Sequence, residues 1–588
     1  MLEGFDFSAE AFAEKDYKKE SKALVERLVV LQQQARSQEL GLVVLFEGWD
    51  GAGKGSRISD LVHTLDARAT KVHVTTNPTE ADIEHFAALN SCVSGYYPAM
   101  KQFWDALSVR GNITFFDRGW YTNAVDYLYE QSSKGLVHCF HGSYASHFSE
   151  GVSGNNDAAP ANALATVGFS QSIESFERQL VDDGYIVLKF FVHISKDAQE
   201  ARIKRLHNNP DTTWRVSEEK FQHATHYDEF FPIYDALLEQ NDFDFCPWTL
   251  VNGEDRWSAN LTIAQGMVEA LEKKLAEKAE AERKSEAAGT KGTEGAEGAL
   301  VSSVLAESAL AESALAESAS TNAAASPTIA SPIIASPRAS LESSFALVKT
   351  PPTVDAISSE LSLGREQYRA QLKKEQKRLY GLQQQLFQKR IPLMLVYEGW
   401  DAAGKGGNIK RVAQALDARS YVIVPSGVPT KDELLHPFLW RYWTQVPKAG
   451  HVCLYDRSWY GRVLVERVEG FATPDEWMRA FGEINEFERD MQQWGALMLK
   501  FWVNVSPDEQ LERFEARAQN PSKYWKITDE DWRNREKYPQ YKEAVDDMFR
   551  LTSTEYAPWI VLESDNKLYA RIKALTTINE AIEARLGL

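Results

Sequence analysis

The chain is poor in cysteine: Cys92, Cys139, Cys246 and Cys453 are the only four in 588 residues, and no C-x-x-C pair occurs. That excludes a disulfide framework and a zinc ribbon, and it fits a reducing cytoplasm. No apolar run reaches the roughly 18 residues a membrane span needs. The first residues, MLEGFDFSAEAFAEKDYKK, are acidic before they are apolar, so no secretory leader is expected. An excess of positive charge is also missing. With 65 Lys and Arg against 84 Asp and Glu, the net charge is −19. Non-specific binding to nucleic acid or to an anionic membrane is therefore excluded for the molecule as a whole. A polyanionic ligand would need a locally basic groove.

What is present is ample material for large cores: 44% hydrophobic residues, with 16 Trp, 22 Tyr and 28 Phe. The length exceeds a single core's comfortable size and implies several domains. Between about Glu272 and Val354 the aromatic-rich mixture gives way to Ala, Glu, Ser and Thr. There LAESA recurs with Leu305, Leu310 and Leu315 five residues apart, a spacing that builds no single helical stripe. Ala-Ser-Pro follows three times, ending at Pro327, Pro332 and Pro337, and reads as an extended spacer. Residues 276–354 are expected to be a tether between a domain at 1–275 and one at 355–588.

The flanks repeat each other. Leu31-Gln-Gln-Gln34 matches Leu382-Gln-Gln-Gln385, and Phe46-Glu-Gly-Trp-Asp50 matches Tyr397-Glu-Gly-Trp-Asp401, both 351 positions apart. Asp117-Arg-Gly-Trp-Tyr121 matches Asp456-Arg-Ser-Trp-Tyr460 at 339, and Leu188-Lys-Phe190 matches Leu499-Lys-Phe501 at 311. The shortening offsets place extra residues in the first copy, the larger insertion falling between Ser132 and Ala163. A duplicated domain explains this pattern. In each copy a charged helix (Tyr368 to Gln388) leads into an apolar strand (Pro392 to Tyr397). A Gly-rich turn then opens a helix from Gly406 to Ala415. Apolar runs at Ser420 to Val424, Val452 to Tyr455 and Leu497 to Val505 alternate with helical patterns such as Pro474 to Gln493. The alternation predicts an α/β fold with a mostly parallel, doubly wound sheet.

The strand-turn-helix carries Gly399-x-x-x-x-Gly404-Lys405, and Gly48-x-x-x-x-Gly53-Lys54 in the first copy. Glycines let backbone N–H groups converge on a phosphate, and the lysine reaches its outer oxygens. The hydroxyl that usually follows the lysine and ligates Mg²⁺ is absent, its place taken by Gly406 (Gly55 earlier), with Gly407 next. An aspartate lies inside the loop instead, at Asp401 and Asp50. A carboxylate among phosphates needs a cation between them, so Asp401 is a candidate metal ligand. Asp456 and Arg457 end the next strong strand, where an open sheet presents its ligands. Asp456 can complete the metal site and Arg457 can clamp a phosphoryl oxygen, unless the two form only a strand-end salt bridge. Further on, Arg513 and Arg517 share a helix face ahead of Asn520-Pro-Ser-Lys523-Tyr-Trp-Lys526, a segment that reads as a cationic lid.

EGWDAAGKGG, PTKDELLHPFLWRYW, LYDRSWYGR and ERFEARAQNPSKYWK, in that order, resemble polyphosphate kinase family 2 over nearly all of Arg365 to Leu588. The resemblance implies tandem P-loop kinase-like three-layer domains with a helical lid. It implies phosphoryl transfer between inorganic polyphosphate and a nucleotide with Mg²⁺ (or Mn²⁺), and the fused arrangement is similar to the branch that converts AMP to ADP. It carries catalytic roles to Asp401, Lys405, Asp456, Arg457, Arg513 and Arg517, with Asp401 and Asp456 on the metal. Phosphate would be bound by the loop glycines and Lys405, with Lys410, Arg411, Arg462, Lys523 and Lys526. An ATP-dependent nucleotide kinase of the thymidylate kinase type and a kinase acting on ADP remain open, as does a phosphate-sensing module in the first copy. That copy keeps Asp50, Lys54, Asp117 and Arg118. It carries Ser59, Asp60, Asn123, Leu206 and Thr212 where the second has Lys410, Arg411, Arg462, Arg517 and Lys523. The first copy is therefore expected to be structural or regulatory and its four retained residues vestigial. The expected protein is cytoplasmic, its oligomeric state left open, with polyphosphate and AMP or ADP as partners and no nucleic acid or membrane.

Overall fold

The computed structural model describes residues 1–8, 14–75, 97–133, 161–210, 213, 216, 221, 224–289, 342–520 and 529–588. It divides into two compact units, residues 1–268 together with 342–588, and residues 269–341. In the first copy the order is α1 (Glu14–Ser37), β1 (Leu42–Gly48), α2 (Lys54–Val62), β2 (Thr70–Val74), α3 (Lys101–Ala106), β3 (Ile113–Asp117), α4 (Trp120–Ser133), α5 (Ala161–Asp182), β4 (Ile186–His193), α6 (Lys196–Asn208), α7 (Tyr227–Gln240), β5 (Trp248–Asn252) and α8 (Arg256–Gly289). The second copy starts with α9 (Arg365–Gln388), β6 (Leu393–Gly399), α10 (Lys405–Ala413), β7 (Tyr421–Pro425), α11 (Lys431–Leu434), α12 (Trp440–Trp443), β8 (Val452–Asp456) and α13 (Val465–Glu469). It continues with α14 (Pro474–Gln493), β9 (Leu497–Asn504), α15 (Pro507–Ala518), α16 (Asp529–Glu536), α17 (Tyr538–Thr552), β10 (Trp559–Glu563) and α18 (Lys567–Leu586).

Each copy holds a five-stranded parallel sheet of the same order, β2-β3-β1-β4-β5 and β7-β8-β6-β9-β10. The α/β reading of the sequence is what the structure contains. β1 and β6 are central, which is why LVVLFEG and LMLVYEG are apolar runs without alternation: both faces are covered by helices. β2 and β7 lie at the sheet edges and leave Val72, Val422 and Ile423 exposed. Two helices that frame the site begin on local signals, Thr473 closing a capping box ahead of Pro474, and Ser506 accepting from the Glu509 amide ahead of Pro507.

A buried ion pair recurs in both copies. Lys500 Nζ donates to Glu488 (2.7 Å), Tyr460 Oη (2.9 Å) and the Thr552 carbonyl (2.6 Å), and Glu488 also accepts from Trp459 Nε1 (3.1 Å). Lys189 makes the same set with Glu177, Tyr121 and the Asn241 carbonyl, and Glu177 accepts from Trp120. With both charges fully enclosed, removing either partner would strand the other. The pair fixes the Trp-Tyr that follows each Asp-Arg, and so holds the end of β3 or β8 against its helix.

The copies pack on each other through equivalent surfaces. Trp104 stacks on Trp443 with centroids 5.8 Å apart and planes at 14°. Arg178 of α5 pairs with Glu486 of α14, while its counterpart Arg489 donates to Ser175 (3.2 Å). Residues matched by the sequence repeat thus face one another about a pseudo-two-fold axis. The expected tether at 276–354 differs at both ends. Helix α8 continues to Gly289, and 342–356 packs on the second copy: Val348 donates to the Ser553 carbonyl (2.9 Å) and Val354 to Asp546 (2.8 Å). The low-complexity composition concealed that short anchored stretch.

Candidate active site

The glycine loop follows β6 with geometry that only its own residues permit. Gly399 has φ of 145°, and a Cβ there would lie 2.2 Å from the Val503 carbonyl oxygen of β9. Gly404 caps α10 at φ of 114°. Lys405 lies back along the loop, donating to the carbonyls of Gly399 (2.5 Å) and Trp400 (3.3 Å). Burial pushes its ammonium below the usual lysine range, with Arg457 acting in the same direction and Asp401, Glu398 and Asp456 against it. Asp401 accepts from Arg457 Nη2 and from Asn534 Nδ2, both at 3.0 Å. Its burial raises its pKa, but Lys405 and Arg457 outweigh this and hold the carboxyl below the ordinary value. Arg457 is left-handed, φ 63°, a conformation that costs a non-glycine residue about 1 kcal/mol or more. Its amide donates to Tyr397 in β6 (3.0 Å), turning the side chain toward the loop.

The expected pairing of motifs is therefore present: Asp401, Lys405, Asp456 and Arg457 form one electrostatic cluster. The Asp456 carboxylate accepts no hydrogen bond from the described residues, and among them no group of three or more His, Cys, Asp or Glu is placed to hold a metal. Two carboxylates beside a phosphate loop still fit Mg²⁺, which takes few protein ligands and completes its octahedron with water and phosphate oxygens.

Arg513 is placed differently from the expectation. It is buried (5% exposed) and pairs with Glu509 (2.7 Å). Its remaining nitrogens donate to the carbonyls of Ala402 (2.9 Å), Ala403 (3.1 Å), Ser564 (2.5 Å) and Asp565 (3.2 Å). It clamps the loop from behind, and its donors are consumed by backbone. Gln510 assists by donating to the Asp401 carbonyl (3.0 Å). Arg517, one turn on, is half-buried in the last turn of α15. Lys523 and Lys526 lie outside the described residues.

Two cations that the motifs did not reveal complete the loop's surroundings. Lys567 and Arg571 of α18 face the start of α10: a Cβ on Gly407 would be 3.0 Å from Arg571 Nη2, and one on Gly404 4.0 Å from Lys567 Cγ. Burial lowers the Lys567 ammonium to about 8, and Arg513, Arg517 and Arg571 push it the same way. Positive charges crowded in this manner favour an anion between them. Lys410 and Arg411 stand in the last turn of α10, the first exposed, the second donating to the Gly407 carbonyl (3.2 Å).

A cavity opens beside Asp401 and Arg457, lined among others by Trp400, Gly461, Asn534, Tyr538 and Val545. Glu398 forms its inner wall and accepts from Ser458 Oγ (2.8 Å), which ties the loop strand to the Asp-Arg motif. Burial pushes that carboxyl up to about 7, against Lys405.

On the β7–β8 side, the block that follows Pro429 forms α11 with a capping box between Thr430 and Glu433. Glu433 also holds Arg441 Nε (3.2 Å), and Arg441 donates to the Gly427 carbonyl (3.1 Å). Arg462 pairs with Glu466 (3.1 Å) and lies over the Phe438 ring (4.8 Å). Burial raises the Glu466 carboxyl, opposed by both Arg462 and Arg441, so the three belong to one cluster.

The first copy keeps the loop and loses the surroundings. Arg118, again left-handed (φ 62°), binds Asp50 at 2.5 Å. Lys54 donates to Gly48 (2.5 Å) and Trp49 (3.0 Å), and a Cβ at Gly55 would stand 3.3 Å from Asp117. Gln199 and Arg202 support the loop from behind as Gln510 and Arg513 do. The anion side is neutralised: Asp60, in Arg411's place, binds Arg256 (3.0 Å) and accepts from Asn260 (3.0 Å), the counterparts of Lys567 and Arg571. An aromatic ring is added where the second copy has its cavity: Tyr234 replaces Val545 and meets Trp49 at 4.9 Å, while Tyr227 packs on Trp49 at 3.9 Å as its counterpart Tyr538 does on Trp400 at 4.9 Å.

Comparison with known proteins agrees with this geometry. The family model for polyphosphate kinase 2 matches residues 11–134, 158–279 and 362–586, and its gap falls where the repeat offsets place the larger insertion. The polyphosphate:AMP phosphotransferase of Pseudomonas syringae pv. tomato is 35% identical over 561 residues, covering 95% of this chain and 93% of its own length. That of Pseudomonas aeruginosa is 34% identical over 562 residues, covering 96% and 94%. A crystal structure of a Pseudomonas aeruginosa PA01 protein assigned to polyphosphate kinase 2 superposes with a TM-score of 0.70 at 30% identity, covering 99% of this chain and 98% of its own. With both halves matched and relatives aligned from end to end, the chain belongs to the polyphosphate kinase 2 family.

Proposed function

We propose that this protein transfers the terminal phosphoryl group of inorganic polyphosphate to AMP, giving ADP, and that the reaction takes place in the second copy. The observation that carries this reading is the crowding of Arg517, Lys567 and Arg571 beside the Gly399–Lys405 loop, against the neutralised equivalent around Asp60. A row of cations along α10 and α18, Lys410, Arg411, Lys567 and Arg571, suits a polymer with a charge on every unit. The more compact pair, Arg441 and Arg462, suits a single phosphate and is assigned to the acceptor. The cavity beside Trp400 and Tyr538 opens next to the loop and suits the nucleoside.

In the transfer, an oxygen of the AMP phosphate bonds to the terminal phosphorus of the chain. The bridging P–O bond behind that phosphorus breaks, and the shortened polymer leaves with its electron pair. The attacking oxygen is already anionic, so the main requirement is charge neutralisation and alignment. Lys405 and Arg457 lie at the reacting end; Arg457 has to release Asp401, and Lys405 the loop carbonyls, when phosphate enters. Asp401 and Asp456 would hold Mg²⁺, which supplies charge neutralisation on the bridging and terminal oxygens. Arg513 keeps the loop in shape.

A coupled assay tests this, with AMP or ADP as acceptor and polyphosphate or ATP as donor. Turnover with polyphosphate and AMP, lost in Asp401→Asn and kept in Asp50→Asn, is the expected result. Turnover with ATP in place of polyphosphate, or with ADP in place of AMP, would redirect it.

A further inference from the structure

Helix α11 is a single turn; within its own block the Asp432 and Glu433 carbonyls accept from the Leu435 and His436 amides, while the Leu434 and Leu435 carbonyls at its end take their partners from outside the block. The partners come from the first copy. Arg110 Nη2 donates to the Leu434 carbonyl (2.7 Å), the Arg110 amide to the Leu435 carbonyl (2.9 Å), and Tyr185 Oη to the same Leu435 carbonyl (3.1 Å). Arg110 is held by an ion pair with Asp183, and Tyr185 by donation to Ser108 (2.8 Å) in a hydroxyl shared between two carbonyls. Beyond the helix, Trp440 Nε1 donates to the Trp104 carbonyl (2.9 Å) and Lys101 to the Thr444 carbonyl (3.1 Å). His436, stacked on Trp440 at 3.9 Å, has Nδ1 2.7 Å from the Asp432 carbonyl oxygen and Nε2 3.4 Å from that of Leu107. From Leu434 to Thr444 the block rests on the first copy.

The side chains that give this support are not repeated in the second copy. By the repeat, the positions of Arg110, Asp183 and Tyr185 in the second copy are Ala449, Trp494 and Ala496, so neither the arginine nor the tyrosine that caps the helix recurs there. Two neighbouring glycine pairs fix that alignment: Gly111 and Gly450, at φ of 90° and 80°, and Gly184 and Gly495, at 87° and 98°. The Arg110–Asp183 pair also lies within electrostatic reach of Arg462 and Arg479.

We propose that the first copy is a positioning element of the second copy's acceptor side. Arg110 and Tyr185 cap α11 and so fix the block that aims Arg441 and, through Phe438, seats Arg462. The proposal rests on the reading that these two arginines meet the AMP phosphate. A short helix with unmet carbonyls frays, and fraying here would move both the Glu433 that holds Arg441 and the ring beneath Arg462. The first copy then contributes to affinity for the acceptor without touching it.

The test uses the full chain and steady-state kinetics for both substrates. Arg110→Ala is expected to raise KM for AMP several-fold while kcat stays within two-fold, KM for polyphosphate is unmoved and the melting temperature barely shifts. Tyr185→Phe, which removes one hydroxyl, should do the same to a smaller extent, and Arg110→Lys should recover most of the loss. The proposal fails if KM for AMP is unchanged in both Arg110→Ala and Tyr185→Phe. It fails also if Arg110→Lys rescues nothing, or if kcat and both KM values change together in step with a lower melting temperature. Arg441→Ala separates this from the underlying reading. A raised KM for AMP there with a silent Arg110→Ala overturns the positioning role alone, and an unchanged KM for AMP in Arg441→Ala overturns the acceptor assignment and the proposal with it.

Discussion

The two copies have the same strand order, the same buried Lys–Glu pair and the same left-handed arginine, yet beyond the loop lysine and that arginine they differ in most of the cations around the loop. Glu47 and Glu398, Gln199 and Gln510, Arg202 and Arg513 are retained in pairs, and each holds the loop or the motif beside it. Around the loop, Arg411 has become Asp60, Arg571 Asn260 and Val545 Tyr234. A glycine-loop signature thus reports that a loop is folded, while what sets the two copies apart is the charge and openness of its surroundings.

The largest expected effect comes from striking the same motif in each copy. Asp401→Asn or Asp456→Asn should lower turnover by about 10²-fold or more, the scale of one lost electrostatic contact to a transition state. Asp50→Asn and Asp117→Asn should leave it within a few-fold, with circular dichroism showing all four folded. Equal losses from both copies would break the comparison. Next, installing the first copy's plug, Val545→Tyr, should raise KM for AMP by about tenfold, since an aromatic ring would fill space worth a few contacts of about 0.5–1.5 kcal/mol each. An unchanged KM would place the nucleoside elsewhere.

Smaller and more specific is Lys567→Ala with Arg571→Asn. KM for polyphosphate should rise by several-fold and its dependence on salt should flatten, because two screened contacts are gone. The reciprocal Asp60→Ala should leave turnover unchanged. The smallest effect concerns stability. Burial pushes the Glu483 carboxyl up to about 7 despite Arg479 and Arg178, so between its unfolded value and 7 the folded state binds more protons than the unfolded one. That residue's contribution to stability is therefore greatest at low pH and is lost as pH rises through 7. Glu483→Gln should melt closer to, or above, the parent at pH 8 than at pH 5, by about 1–2 kcal/mol of relative stability. A difference independent of pH would show that burial does not hold Glu483 protonated in the folded state.

The fold was legible because its signals are local. Unbroken apolar strands, glycines at fixed spacing and Thr473-Pro474 each dictate structure within a few residues, and α14 runs from Pro474 to Gln493 as its pattern predicts. The loop, the Asp-Arg pair and their meeting followed from the same signals. Arg513 was misplaced because a cation four residues from another looks alike whether it faces phosphate or a backbone carbonyl; its partners Ala402 and Ser564 are far off in sequence. Lys567, Arg571 and Asn534 were missed for the same reason, each lying on a helix with no motif of its own. The one usable clue to the first two was Asp60 itself, a reversed charge whose partners the sequence does not name.

The stacked Trp104 and Trp443 mark the axis about which the copies face each other, and covalent fusion changes what such an axis permits. In an assembly of two separate identical chains every substitution appears twice, so an arginine that caps the partner's helix necessarily replaces its own alanine as well. Joined in one polypeptide, positions 110 and 449, or 185 and 496, are free to take different residues. The joined halves also meet at an effective concentration set by the tether rather than by the amount of protein. Specific activity should accordingly stay constant on dilution into a range where an untethered pair would separate.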